Sequence, residues 1–503
     1  MPSPAINVLE AQSNALDRSD ARLEALGYRP EFRREMNLFA VVGMSFTAIG
    51  ILTGMSSAFQ TGSVRSSCFL LRYAWPRFVR PIRPWADWWA HFSRSRIRVA
   101  DGFTQFDKYY WVSKMKGDKP ILGYVTGVLY ACAMIFTGTS GNLSTALYIA
   151  SMAEVGTGIT LTRVQIAAMA WGVNLLSGLI NTFGSRGIVW WTLIGTVILV
   201  VTLLVKSPVK NSASFVFTDL ENFTGWENKG FVVLLGFLQA VYTLEGAETS
   251  AQVAEEARNA EWLAPIGIAA SIVGSWFIGL IYLLALLFSI QSIPSVQSTS
   301  FAIPIAQLYY DAVGSRLTLL CLFVVGSCQF MAACTCFTAS SRLLYALARD
   351  NAIPCKRAFM TLNRFQIAII ISAAYIGSVV AFNAILSSAA IAVMLSYLQP
   401  ILCRVLWPES MEVRGPFHLG KYSRIVNIIS ALFTVFVCIL FILPTSMPVN
   451  ALNMNYSVVA IGAVLILILG SWMLYGRYHF KGPVSTVDMP PLTEDVDEDK
   501  KMS

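Results

Sequence analysis

Apolar residues in this chain come in long unbroken runs rather than in alternation, a pattern that predicts helices buried on every face. Runs of about twenty residues, enough to cross the hydrocarbon core of a bilayer, fall at 38-60, 121-149, 163-183, 188-205, 230-254, 265-290, 315-340, 384-405, 425-444 and 456-475. A shorter run at 366-382 makes an eleventh span at the low end of the required length. The expected fold is therefore an all-α polytopic membrane protein. Residues 1-36 are polar and charged, with no apolar stretch behind a basic start, and read as a cytoplasmic segment rather than a cleaved leader. Residues 37-480 then form the transmembrane domain, and 481-503 a cytoplasmic acidic tail, expected to be disordered.

Composition agrees with a bilayer as solvent: 55% of the 503 residues are hydrophobic, 13% are charged and the mean hydropathy is +0.59. The net charge of +8 resides in the flanks of the apolar runs, so no nucleic-acid partner is needed to explain it. Arg342, Arg349, Lys356, Arg357 and Arg364 follow one run, and Arg404, Arg414, Lys421 and Arg424 another, which places those connections in the cytoplasm. The connections 291-314 and 445-455 carry neither Lys nor Arg and should lie outside, although Lys206, Lys210 and Lys229 run against the bias. Of nine cysteines, seven (Cys132, Cys321, Cys328, Cys334, Cys336, Cys403 and Cys438) sit in apolar segments and read as inert packing. With three histidines, His91, His418 and His479, and no zinc-like spacing, neither a metal nor a cofactor is expected, nor an enzyme's nucleophile-base pair.

The chemistry concentrates in two places. Tyr242-Thr-Leu-Glu-Gly-Ala-Glu248 puts two acids and a helix-weakening glycine inside an apolar run, a costly arrangement that marks a transport site. Here Gly246 is the expected break, Glu245 the group to meet a substrate ammonium, and Glu248 a proton-sensitive carboxylate; a structural hydrogen bond to unwound backbone is the alternative for either acid. Tyr242 would close over the substrate or pack. In the first run, Gly43, Gly50 and Gly54 interleave with Ser45, Thr47, Thr53 and Ser56. Such a helix can unwind near Gly50 and Gly54 and aim backbone N–H groups at a substrate carboxylate, or its small residues can serve close helix packing.

The segment Tyr242 to Ala260, followed by Ala264-Pro-Ile-Gly-Ile268, resembles the sixth helix and following loop of the amino acid-polyamine-organocation superfamily, in its fungal GABA/choline permease branch. Further agreement lies in Ile180-Asn-Thr-Phe-Gly184, in Pro304 to Gly314 and in Ser340 to Pro354. The resemblance implies a twelve-helix, LeuT-like fold of two inverted five-helix repeats with both termini cytoplasmic. It also implies proton-coupled uptake of an amino acid or related amine (GABA-like, choline or polyamine) by alternating access, in the plasma or vacuolar membrane. The family's substrate site maps onto Gly50, Thr53, Gly54, Tyr242, Glu245 and Gly246, with Glu248 as the proton-coupling residue.

One stretch departs from that pattern. Where a glycine-rich second helix belongs, residues 64-98 carry eight Arg, no Lys, and Pro76, Pro81 and Pro84, which cannot make a lipid-facing span. Family character resumes near Phe106-Asp-Lys-Tyr-Tyr-Trp111. The reading preferred for 64-100 is a shifted reading frame or misjoined exons, the alternative a divergent interfacial segment. With this helix lost, about 11-12 spans remain the expectation. A homologue that senses substrate without transporting it, or a non-functional product, is then the alternative to a working transporter. The link Gly184-Ser-Arg-Gly187 also looks abbreviated, and Asn222-Phe-Thr224 is a candidate glycosylation acceptor in a loop expected outside.

Overall fold

A computed structural model describes residues 38-57, 108-116, 119-181, 188-218, 225-252, 260-354, 379-407, 422-444, 447-450 and 454-483. The anomalous 64-100 segment, most of the 366-382 run, Gly184-Ser-Arg-Gly187, Asn222 to Thr224, His91, His418 and both termini fall outside them. The described chain is helical throughout and contains no strand.

Two short half-helices come first, α1 (Leu38–Ile49) and α2 (Ile51–Ser57), then α3 (Lys108–Met115), α4 (Pro120–Thr157), α5 (Arg163–Asn181), α6 (Ile188–Lys206) and α7 (Ala213–Thr218). A second interrupted pair follows, α8 (Lys229–Thr243) and α9 (Thr249–Gln252), then α10 (Ala260–Ser289), α11 (Ile293–Gln297), α12 (Pro304–Arg349), α13 (Val379–Leu406), α14 (Ser423–Ile442), α15 (Ser457–Ser471) and, after a π-helical turn, α16 (Arg477–His479). Among the described residues eight helices are long and apolar enough to cross a membrane, counting α1 with α2. The 17 residues Trp190–Lys206 and the stretch Gly230–Thr243 are shorter apolar helices beside them.

Local chemistry sets the ends. Pro120 opens α4, where its missing N–H costs nothing, and Gly158 closes it in the left-handed conformation, its N–H on the Glu154 carbonyl at 2.9 Å. Asn228 caps α8 by accepting from the N–H groups of Gly230 and Phe231. The connection 291-314 was expected to precede a span at 315-340; instead helix begins at Pro304 and runs to Arg349, bent at Gly314, whose φ of 76° takes it out of helical geometry. Pro304 starts the segment and Gly314 lets it turn onto the membrane-crossing part.

The pairing of α4 with α12 is the spine of the bundle. Small residues make that approach possible: a Cβ on Gly141 would come within 2.9 Å of the Ala333 Cβ, and one on Gly138 within 3.2 Å of the Phe337 ring. The opposite preference shows on the outside. Along α6, Trp190, Ile194, Val197, Val201 and Val205 form an exposed stripe at helical spacing, and α14 presents Ile425, Leu432 and Ile439 likewise. Apolar residues outward and hydroxyls inward are what a bilayer selects.

Two charged side chains are buried at one end of the bundle. Lys108 belongs to α3, and its side chain is 1% exposed. Arg349 is also buried, its Nε 3.3 Å from the Asp350 carboxylate. Tyr109 donates to the other oxygen of Asp350 at 2.8 Å. Helix α3 is therefore wedged against α4 and α13, with Tyr109, Tyr110, Trp111 and Val112 all buried.

Candidate functional site

The first interruption is one residue wide. Gly50 has a φ of 57°, between the end of α1 and the start of α2, and its carbonyl receives the Gly54 N–H at 2.8 Å and the Thr53 hydroxyl at 2.7 Å. The second is wider. Residues Leu244 to Glu248 form a turn in which Gly246 has a φ of 98°, and Thr249 restarts the helix by directing both its N–H and its hydroxyl to the Gly246 carbonyl, at 3.1 and 2.8 Å. The two breaks touch. Ser45 donates to the Ala247 carbonyl at 2.6 Å, deep in the bundle, and a Cβ on Gly246 would lie 2.9 Å from the Ala48 carbonyl oxygen. Gly246 thus combines a positive φ with a contact no side chain permits.

Between the breaks lies a cavity of about 80 Å³, walled by Ala48 to Gly50, Thr53 and Gly54, by Tyr242, Thr243, Glu245 and Gly246, and by faces of α4, α12 and α13. Six residues singled out in the sequence, Gly50, Thr53, Gly54, Tyr242, Glu245 and Gly246, line this one space. Glu248 does not. Glu245 is 9% exposed, and its Oε1 has no hydrogen-bond partner among the described residues. A buried carboxylate oxygen left so is costly unless a ligand supplies the missing donor.

Gly54 has a packing part beside its place in the cavity wall. Its N–H is already bonded to Gly50, and a Cβ there would come 2.5 Å from the Thr243 side chain. Gly54 therefore serves the close approach of α2 to α8; the first N–H groups of α2, at Ile51 to Thr53, are the ones a short helix leaves without an intrahelical acceptor. The opposite wall was not read from the sequence. It comprises Thr137, Ser140, Gly141 and Ser144 of α4, Gln329, Ala332, Ala333 and Cys336 of α12, and Val393 of α13. The run Thr137-Gly-Thr-Ser-Gly-Asn-Leu-Ser144 carried the signal, since so many hydroxyls and glycines in one span mark a polar inner face. Cys336, read as inert packing, is part of this wall.

Glu248 belongs to a second, sealed cluster. Its Oε1 accepts from the Tyr130 hydroxyl at 2.9 Å and faces the Lys108 Nζ at 3.5 Å, and both ionisable side chains are 1% exposed. The ammonium lies 3.2 Å from the Tyr130 ring centroid and 3.9 Å from that of Tyr397, and donates to Ser396 Oγ at 3.4 Å. A buried cation with a carboxylate, a hydroxyl and two aromatic faces is well compensated.

A membrane bundle holding a ligand-sized cavity between two glycine-broken helices is the architecture of a secondary transporter. The solved structure of MhsT in complex with L-phenylalanine has this fold: it aligns over 82% of the present chain and 99% of its own, with a TM-score of 0.55 at 13% identity. Residues 108–466 match the amino acid permease family model, and the chain belongs to that family. It is 29% identical to the amino-acid permease BAT1 homolog of Oryza sativa subsp. japonica, over 94% of this chain and 96% of that one. It is 25% identical to the GABA-specific permease of Saccharomyces cerevisiae, over 98% and 90%.

Proposed function

We propose that this permease moves a small amine or amino acid across the plasma or vacuolar membrane by alternating access, coupled to protons through Glu248. The carrying observation is Glu245, a buried carboxylate in the wall of the inter-break cavity whose Oε1 has no partner among the described residues. A primary or quaternary ammonium is the complementary group, and only a primary one also supplies the hydrogen-bond donor that Oε1 lacks. That favours an amino acid or GABA-like amine over choline. A carboxylated substrate would direct its other end to the start of α2, where helix geometry favours anions. Names among the relatives support the class: one is a GABA-specific permease and another, from the same yeast, a choline transporter.

The test is uptake of a labelled panel (GABA, neutral and basic amino acids, choline, a polyamine) in cells lacking their own permeases, with and without an imposed proton gradient. Accumulation of a primary amine above its outside concentration, abolished when the gradient is collapsed, is the expected result. Binding without accumulation of any member would instead favour a substrate sensor. The Arg-rich 64-98 segment, in the place of a second helix, is the feature that keeps that second reading in play.

A further inference from the structure

We infer that Lys108 is a latch, a positioning residue that closes one end of the transport path by holding the second half of the broken helix, and that each transport cycle must release it. This rests on the transport reading above. The geometry carries it in three steps. First, Glu248 stands three residues beyond Glu245, at the junction where the turn becomes α9, so any tilt of α9 moves the Glu248 carboxylate directly. Secondly, the cation that meets it comes from none of the helices that wall the cavity, but from α3, which Tyr109 also fastens to Asp350 at the end of α12. Thirdly, the pair is sealed at 1% exposure on both sides, so the route beneath the cavity is shut while it stands.

Groups from several elements surround the pair. Tyr130 of α4 donates to Glu248 and lies under the ammonium; Ser396 and Tyr397 of α13 hold the other side of Lys108. Along the chain the neighbouring acids are Asp107, next to Lys108, and Glu245, three residues before Glu248. Moving α9 away from α3 would place a lysine and a glutamate in separate buried surroundings, each costing several kcal/mol unless water enters at the same moment. The latch therefore opens only into a wetted path, which is what separates an open from a closed state in alternating access.

The experiment uses the full chain, purified and reconstituted in liposomes, with labelled GABA and a labelled amino-acid mixture as probes. Two readings are taken: accumulation driven by a proton gradient, and exchange between labelled and unlabelled substrate at equilibrium. Lys108→Gln should lower accumulation at least tenfold and retain exchange within about threefold, and Lys108→Arg should restore more than half of the accumulation. A lone buried Glu248 destabilises the fold, so the double variant Lys108→Gln/Glu248→Gln, which removes both charges, is run beside it; Glu248 is also the proposed proton-coupling residue, so this variant is read first by its exchange, which should stay within about threefold. A substitution that merely damaged packing would lower both readings together. Undiminished accumulation in Lys108→Gln or in the double variant, or parallel loss of accumulation and exchange in both, overturns the latch. If the wild-type chain moves neither probe, the transport reading fails, and backbone hydrogen exchange decides the latch by itself. Residues 249-252 should then exchange at least tenfold faster in the double variant while α12 stays unchanged, and equal rates would overturn the proposal.

Discussion

Glu245 and Glu248 sit three residues apart on the same turn, yet their surroundings are opposite. Glu245 faces a cavity with an oxygen that none of the described residues satisfies; Glu248 is enclosed by a tyrosine hydroxyl and a lysine ammonium. On the function proposed above, the difference separates binding from mechanics. A carboxylate kept short of a partner is ready for a ligand, and one already paired is part of the moving structure. If that division is right, the two acids must respond differently to the same substitution.

The largest effect is expected from Glu248→Leu. It leaves the Lys108 ammonium buried without its counter-charge, a change that costs about 3–5 kcal/mol in comparable sites. Glu245→Leu removes an unsatisfied carboxylate and should leave stability unchanged or higher. Thermal unfolding of the two purified variants in detergent, followed by tryptophan fluorescence, checks the ranking; equal losses of stability would erase the distinction. Binding should rank the opposite way. Glu245→Gln trades a charge-assisted hydrogen bond of about 1.5–3 kcal/mol for a neutral one of about 0.5–1.5 kcal/mol, and should weaken primary-amine binding by roughly 5- to 15-fold. Measured by equilibrium binding of the same labelled amine, an unchanged affinity would remove Glu245 from the site.

A smaller effect tests the backbone that holds the two acids apart. Gly246→Ala places a Cβ 2.9 Å from the Ala48 carbonyl oxygen in a left-handed conformation, and should cost about 1–3 kcal/mol. Gly462, inside α15, where an added Cβ would meet nothing within 4 Å among the described residues, is the control: Gly462→Ala should stabilise by about 0.5–1 kcal/mol. Thermal midpoints that move in the same direction for both would deny Gly246 its special geometry.

Much of this could be read from the sequence because it is written in local pattern. Apolar runs gave the spans, and Gly50 and Gly246, set among polar residues inside two of them, marked the breaks that the structure places side by side. What stayed hidden depends on closure over long distances. Lys108 looks like a flank residue beside Lys114, Lys116 and Lys119, and only its approach to Glu248, 140 positions away, makes it part of the interior. Gly54 shows the same dependence on distant neighbours. Its position in a glycine-rich helix suggests an approach to ligand, and the structure adds Thr243 of another helix as a neighbour that needs the space. The segment 64-100 is a third case, where the sequence argues that a helix is missing and the described residues do not include it.

The smallest expected effect concerns a residue whose local pattern was uninformative. Cys321 and Cys336 lie in the same helix, α12, and in the same apolar run of the sequence, but Cys336 lines the cavity and Cys321 does not. A small cationic thiol reagent that enters along the substrate path should modify Cys336 and spare Cys321, which is 0% exposed. Substrate in the cavity should protect Cys336 by occupancy alone, so at a concentration equal to its Kd the labelling rate falls by about half. Peptide mass spectrometry of labelled protein, with and without substrate, reads both residues at once. Glu245→Gln sharpens the result: substrate at the wild-type Kd should then protect Cys336 hardly at all, because the site is seldom filled. Protection that survives this substitution would mean that the substrate occupies the cavity without using the carboxylate, and the contrast between the two acids would lose its binding half.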